Sequence, residues 1–282
     1  MIEKITLVNE NSDAQAITMD MTTAPGFILE SVDIGPVVGK HNTYKYFNQL
    51  GETIGSTAIG TREVSITGWI VAVDATDMHE VKTYLNNFVN PLQPITLHYK
   101  PSTIEFELTF TPDTTVRYGI DYKDNNDRIC KFNISGTAHN PMFQRSSAFT
   151  DSVLGAQSVT QVKKTIACTS DVPIGMIITL NSRGTSYGTI KNPYIHNTTT
   201  GETLTLKGVS IASDEEYVVI DTRPGHKYIG NLAGDLFSSK TLDSSWVHLN
   251  PGSNKLAFGA ESGLYALKVT MEYYPLFWEV QR

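Results

Sequence analysis

Three stretches in which apolar and polar residues alternate with a period of two constrain this chain more than any other feature. Between residues 104 and 110, Ile104, Phe106, Leu108 and Phe110 are interleaved with Glu105, Glu107 and Thr109. Between 129 and 137, Cys130, Phe132 and Ile134 alternate with Lys131, Asn133 and Ser135. Near the end, Tyr265, Leu267, Val269, Met271 and Tyr273 alternate with Lys268, Thr270 and Glu272. Successive side chains of a strand point to opposite faces, so each stretch reads as a strand with one buried and one wet face. Thirteen Tyr, 21 Gly and 12 Pro accompany them, the residues of half-buried pleated surfaces joined by tight turns. The expected class is mainly β.

One segment breaks the rule. Met78, Val81, Leu85 and Phe88 follow spacings of three and four, which predicts a helix over about 76–89. Asp74 or Thr76 can cap its start, and Pro91 restricts Asn90 and stops it. A strand from Arg62 to Val73 precedes the helix and another from Ile95 to Tyr99 follows, so the helix is laid across a sheet. A different kind of segment runs over about 35–60. There Gly35, Gly39, Gly51, Gly55 and Gly60 recur among Tyr44, Tyr46 and Phe47. Aromatic residues in a glycine-rich stretch suggest a projecting arm whose side chains contact a second molecule.

With 282 residues the chain fits about two domains on the ordinary size range. A boundary follows Asn140-Pro141-Met142-Phe143, and residues 144–160, rich in Ser, Gln and Gly and without period, read as a linker. Beyond it short strands return at spacings of roughly 8–12 residues, as in a β-sandwich. The expected organisation is therefore 1–143, a linker over 144–160, and 161–282.

Composition excludes several functions. A net charge of −7 with no basic cluster argues against wrapping nucleic acid. No run approaches the ~20 apolar residues of a membrane span. The N-terminus lacks an apolar signal segment, so synthesis and folding in the cytoplasm are expected. Two cysteines, Cys130 and Cys168, make no disulfide scaffold in a chain this long. No G-x-S-x-G elbow, phosphate loop or H-E-x-x-H helix occurs, and the seven histidines are scattered singly. No catalytic, cofactor-binding or metal-ligating residue is assigned, and no cofactor is expected. A glycan hydrolase would need two carboxylates across a cleft, and no convincing pair stands out. Tyr187, Tyr194 and Trp246 are candidates for a glycan-binding aromatic platform, with core packing the competing reading for the tryptophan.

Several motifs, in order, resemble one family. They are the run from Ile2 to Leu7 with Val8-Asn9-Glu10, then Gly35-Pro36-Val37, then Arg62-Glu63-Val64-Ser65-Ile66-Thr67-Gly68-Trp69-Ile70. The helix entering Phe88-Val89-Asn90-Pro91-Leu92, the closing Gly136 to Phe143, and Leu249-Asn250-Pro251-Gly252-Ser253-Asn254 complete the set. Together they resemble the siphophage distal tail proteins. The resemblance implies an N-terminal β-sandwich-like belt domain with one helix and an arm, and a peripheral galectin-like β-sandwich. It implies a structural virion protein, a hexameric ring joining the tail tube to the tail-tip or receptor-binding apparatus around a channel for DNA. Its implied partners are further copies of itself, the tube protein and the tip protein, without specific nucleic-acid binding or membrane insertion. Assembly would take place in the bacterial host cytoplasm, and the arm residues Tyr44, Tyr46 and Phe47 would lie in the ring interface. Alternatives are a carbohydrate-binding adhesion module of a phage or prophage tail, and a hub component of a contractile tail or tail-like bacteriocin.

Overall fold

The computed structural model describes residues 4–9, 15–20, 26–101 and 103–280. Ile2, Glu3 and Glu10 of the first motif lie outside the described residues. The chain forms two compact units, one of Met1–Ser146 with Trp278–Arg282, the other of Ser147–Phe277.

The first unit contains strands β1 (Lys4–Asn9), β2 (Gln15–Asp20), β3 (Gly26–Ile34), β4 (Gly39–Tyr44), β5 (Thr53–Ile59) and β6 (Arg62–Val71). After helix α1 (Ala75–Phe88) come β7 (Ile95–Tyr99), β8 (Phe106–Pro112), β9 (Arg117–Tyr118), β10 (Ile129–Ala138) and β11 (Phe143–Arg145). Where sandwich-like layers were expected, the sheet closes on itself. The order β8-β7-β1-β2-β3-β6-β10 returns to β8, a barrel of seven strands. Closure rests on Gly136 facing Pro112 and Thr137 facing Thr111. Every strand is antiparallel to its neighbours except at β2–β3, which pair in parallel at Asp20 and Ile28.

Alternation in the sequence becomes inside and outside of this barrel. Ile5, Leu7, Val64, Ile66, Ile70, Leu97, Leu108, Phe110, Phe132 and Ile134 are all at most 1% exposed. Two glycines make room for aromatic rings that cross the strands. A Cβ on Gly68 would lie 2.7 Å from Phe132 Cζ, and one on Gly136 would lie 2.5 Å from Phe110 Cδ2. Bare backbone at these points is therefore required by packing. The helix lies over the sheet as the spacing predicts. Asp74 is its cap, accepting hydrogen bonds from the N–H groups of Thr76 and Asp77, and Met78, Leu85 and Phe88 are buried. Asn9 Nδ2 donates to Phe88 O at 2.9 Å, which ties β1 to the helix end.

The second unit begins with β12 (Phe149–Leu154), β13 (Gln161–Cys168), β14 (Ile177–Ser182), β15 (Ile190–Asn197), β16 (Glu202–Thr205) and β17 (Ser210–Ile211). It continues with β18 (Tyr217–Asp221), β19 (Tyr228–Asn231), β20 (Gly234–Asp235), β21 (Gly252–Ser262) and β22 (Leu267–Tyr273). Two sheets form, β12-β22-β14-β18-β19-β20 and β13-β21-β15-β16, with β17 on β15. Their inner faces bury Ile178, Leu180, Ile195, Ile220, Leu256, Phe258, Val269 and Met271 in one core, the arrangement of a β-sandwich.

Three sequence expectations need correction. The linker assigned to 144–160 contains β12, whose six residues pair with β22 from Phe149–Tyr273 to Leu154–Lys268. As an edge strand it buries no residue fully, and the half-buried Asp151 and exposed Leu154 mask its period. The last residues do not finish the second unit: Trp278 onward belongs to the first. Residues 246–249 form no strand, and only Leu249 makes a bridge, to Ile174. The two cysteines are both buried and free, in different units.

One ion pair fixes the segment that failed to become a strand. Glu202 accepts from His248 N at 2.8 Å, pairs with His248 Nδ1 at 3.0 Å, and accepts from Thr200 Oγ1 at 2.9 Å. Burial alone would raise the Glu202 carboxyl, but the His248 and Thr200 hydrogen bonds outweigh it and hold the group below its ordinary value of 4.5. A carboxyl depressed in the folded state stabilises above its unfolded value and loses that contribution as pH falls through the folded one. The difference in unfolding midpoint between the wild type and Glu202→Gln should hold constant above about pH 5 and shrink toward about pH 3. Thermal melts across that range measure it, and a difference independent of pH would show that the pair adds nothing by ionisation.

Candidate functional site

The most unusual element of the first unit is a hairpin that joins no other sheet among the described residues. Among the described residues strands β4 and β5 pair only with each other, from Gly39–Ile59 to Tyr44–Thr53, with a bulge between Asn42 and Thr43. All six residues of β4 are exposed, as are all of β5 but Thr53. Two-stranded hairpins are marginal in water, so local contacts must shape this one. His41 Nδ1 pairs with Thr57 Oγ1 and Asn42 Nδ2 donates to Ser56 Oγ, both at 2.9 Å. At the tip, Tyr46 N donates to Gln49 Oε1 and Gln49 Nε2 donates to Thr53 Oγ1. Asn48 and Gly51 take left-handed backbone, φ 63° and 83°, to turn the chain. Tyr44 meets Tyr46 edge-on at 5.1 Å.

The result is a shaped, unpaired apolar surface. Phe47 is 95% and Leu50 101% exposed, and Val38, Tyr44, Tyr46, Ile54 and Ile59 are exposed as well. Lys40 and Lys45 against Glu52 leave residues 39–59 with a formal charge of +1 on a chain of −7.

The base of the arm is built more firmly. Gly35 N donates to Glu63 O and Gly60 N to Val38 O, continuing β3 and β6 into the arm. Beside it lies a cleft of about 350 Å³ lined by Pro36, Val37, Gly39, Ile59, Trp278 and Glu279. The returning C-terminal residues are held there by Arg62, which is 1% exposed and donates from Nη2 to Trp278 O at 2.5 Å. Its guanidinium stands 4.9 Å from the Phe143 ring and 3.9 Å from Glu279 Oε1. Desolvation lowers its pKa from the usual arginine value, partly offset by Glu279. Arg62 sits inside a motif quoted above, yet its period-2 position carries no sign that a charge is buried there.

The structure separates the three glycan candidates. Tyr187 packs on Tyr265 with centroids 5.3 Å apart and the rings tilted by 55°, and Arg183 lies over both rings. Tyr194 and Tyr265 line one surface cleft of the second unit. Trp246 is elsewhere, packed on Phe237 at 5.9 Å and against the core, with Lys227 and Lys240 over its ring. Tyr265 was missed because its place at the head of an alternating strand marks it as core. It instead lies in the short 3₁₀ turn Leu264–Ala266, half-buried. Among the described residues no group of three His, Cys, Asp or Glu is placed to hold a metal ion. No helix among them is long and apolar enough to cross a membrane.

Residues 21–145, which hold the arm and the barrel strands from β3 onward, match the family described as phage tail protein RIFT-related domain. Similarity to solved structures extends over both units. The Dit protein of phage SPP1, titled a paradigm of the hub adsorption apparatus in phages infecting Gram-positive bacteria, superposes with a TM-score of 0.70 at 12% identity. That match covers 96% of this chain and 98% of that one. A chain of the phage p2 baseplate, in its activated conformation with Sr, gives 0.54 at 9% identity over 97% and 98%. No curated protein matches the chain. The fold is thus similar to that of the SPP1 Dit protein over both units, and the residues that match the family lie in the first of them.

Proposed function

We propose that this protein is the structural ring at the distal end of a phage tail, closed by the arm of each subunit on its neighbour. The single observation that carries this reading is the arm itself. Six apolar side chains are held in the open on a hairpin that pairs with no other strand among the described residues, within the stretch that matches the RIFT-related phage tail family. A donor arm on one side of a subunit and an acceptor surface on the other make a heterologous contact, which closes into a ring when the rotation per subunit allows. A second copy of this chain suits the arm on charge as well as apolarity, since the arm is weakly basic and the chain acidic.

On this reading six copies enclose a channel for DNA, one face docks the tail tube, and the other docks the tip or receptor-binding apparatus. The function is mechanical and the protein is no enzyme. Its place is the virion tail, after assembly in the host cytoplasm. The Dit and baseplate likenesses support the tail role, and the acidic balance suits a channel that does not grip passing DNA.

Light scattering on the purified protein, with negative-stain images of the same fraction, tests this. A mass of six chains and rings with a central hole are expected. A monomer at every accessible concentration, alone and with the tube protein added, would sink the reading.

A further inference from the structure

The second unit carries a surface cleft, apart from the arm of the first. It measures about 680 Å³, within the usual range for small-ligand sites, and runs between residues 156–160 and 260–265 beside Tyr194. We propose that it binds a neutral sugar, one pyranose ring against the tyrosines with its hydroxyls on the polar walls.

The chemistry of the lining selects this ligand class. Tyr194 and Tyr265 supply aromatic surface, and Glu261, Gln157, Ser158 and Ser262 supply acceptors and donors. No Lys or Arg lines the cleft, and the nearby Arg183 is engaged with the carbonyls of Gly155 and Tyr265, so the lining itself favours an uncharged ligand. A pyranose has an apolar C–H face and a hydroxyl-bearing edge, and such a ligand satisfies both kinds of group at once. Glu261 Oε2 accepts a hydrogen bond from Asn192 Nδ2, which orients the carboxylate and leaves Oε1 for a sugar hydroxyl.

The walls are preformed. Arg183 Nη1 donates to Gly155 O at 3.2 Å and Tyr265 O at 3.4 Å, so one side chain binds the start of one wall to the end of the other. Its guanidinium also stacks between Tyr187 and Tyr265, at 4.7 and 5.0 Å. A Cβ on Gly155 would fall 1.7 Å from Leu264 O, so the two walls meet there backbone to backbone. The Tyr194 ring lies across Gly259, whose Cβ would be 2.2 Å from Tyr194 Cζ, and its hydroxyl donates to Thr160 O at 3.4 Å. A site already in shape loses little freedom when a ligand enters. This cleft, not Trp246, is where the geometry points for the aromatic platform expected from the sequence.

Saturation-transfer NMR on the full chain tests the assignment, with glucose, galactose, rhamnose, N-acetylglucosamine and N-acetylgalactosamine and their β-linked disaccharides as probes. Transfer to pyranose C–H protons is expected for at least one sugar. It should fall by about tenfold or more in Tyr194→Ala, which removes ring surface from the cleft. It should fall equally in Ser262→Trp, which fills the cleft from an exposed position without touching the core, and persist in Trp246→Leu. Absence of transfer to every probe overturns the proposal, as does transfer that survives either cleft variant or depends on Trp246. Ring formation stands or falls independently of all these outcomes.

Discussion

The double variant Phe47→Asp, Leu50→Asp should remain folded and fail to assemble. Both side chains stand in solvent within their own chain, at 95% and 101% exposure, so the monomer loses no packing by their replacement. Exposed substitutions away from special features usually change stability by no more than about 0.5 kcal/mol, and the melting curve should scarcely move. The neighbour's side of the account is different. Burying a Phe or Leu side chain contributes about 1.5–3 kcal/mol each. Losing both costs on the order of 3–6 kcal/mol per contact, roughly 10²–10⁴-fold in association. Two carboxylates placed in an apolar contact add their own desolvation cost. In the proposed ring every subunit donates one arm, so all joints would weaken together, and light scattering should report single chains at concentrations where the wild type forms the ring. A variant that still forms rings would remove the arm from the interface.

Arg62→Ala is the second change expected to have a large effect, here on folding. The guanidinium is almost wholly buried, and its Nε has no hydrogen-bond partner among the described residues. What it does make is specific: the Nη2 bond to Trp278 O, the stack on Phe143 and the pair with Glu279. Glu279 is 76% exposed and contributes little, as surface pairs do. Truncation to Ala leaves a cavity and an acceptor without its donor, and cavity formation of this size costs about 2–5 kcal/mol. Met at the same position refills most of the volume without a charge to desolvate. Replacing imperfectly paired buried charges by apolar side chains is often neutral or better, so Arg62→Met should recover most of the loss. Urea unfolding of the three proteins decides the matter. Equal losses in Ala and Met would mean that the charge itself, not the filled space, holds Trp278 and Glu279 at the base of the arm. In that case hydrogen exchange at Gly35 and Gly60 should also rise in both variants.

Much of the fold was legible because it follows from local periodicity. Alternation in 129–138 became β10 with every second residue buried, and the spacing of Met78, Leu85 and Phe88 became the buried face of α1. Pairing of strands was not legible. Barrel closure depends on Gly136 meeting Pro112 across 24 residues, and nothing in either segment names the other. β12 escaped notice for a related reason. An edge strand buries only part of one side, so hydrophobic selection on its sequence is weak.

The candidate sites divide the same way. Tyr44, Tyr46 and Phe47 could be singled out from the sequence because aromatic residues amid glycines have no core to enter, and the structure places them on an unpaired hairpin. The aromatic platform could not be assembled from the sequence. Tyr194 finds its partner Tyr265 some seventy positions later, and Arg183 holds the walls between them from a third element. The buried charge of Arg62 was equally invisible, since its environment is made by residues from β11 and the returning C-terminus. By itself the sequence determined the strands with a clear alternation, the helix and the glycine-rich stretch that became the hairpin. These follow from side-chain period and backbone preference, which are local properties. Only the tertiary structure decided the closed barrel, the two crossings between units, the cleft of the second unit and the arginine beneath the arm. Each of these depends on contacts between distant residues, and a local pattern carries no record of its partner.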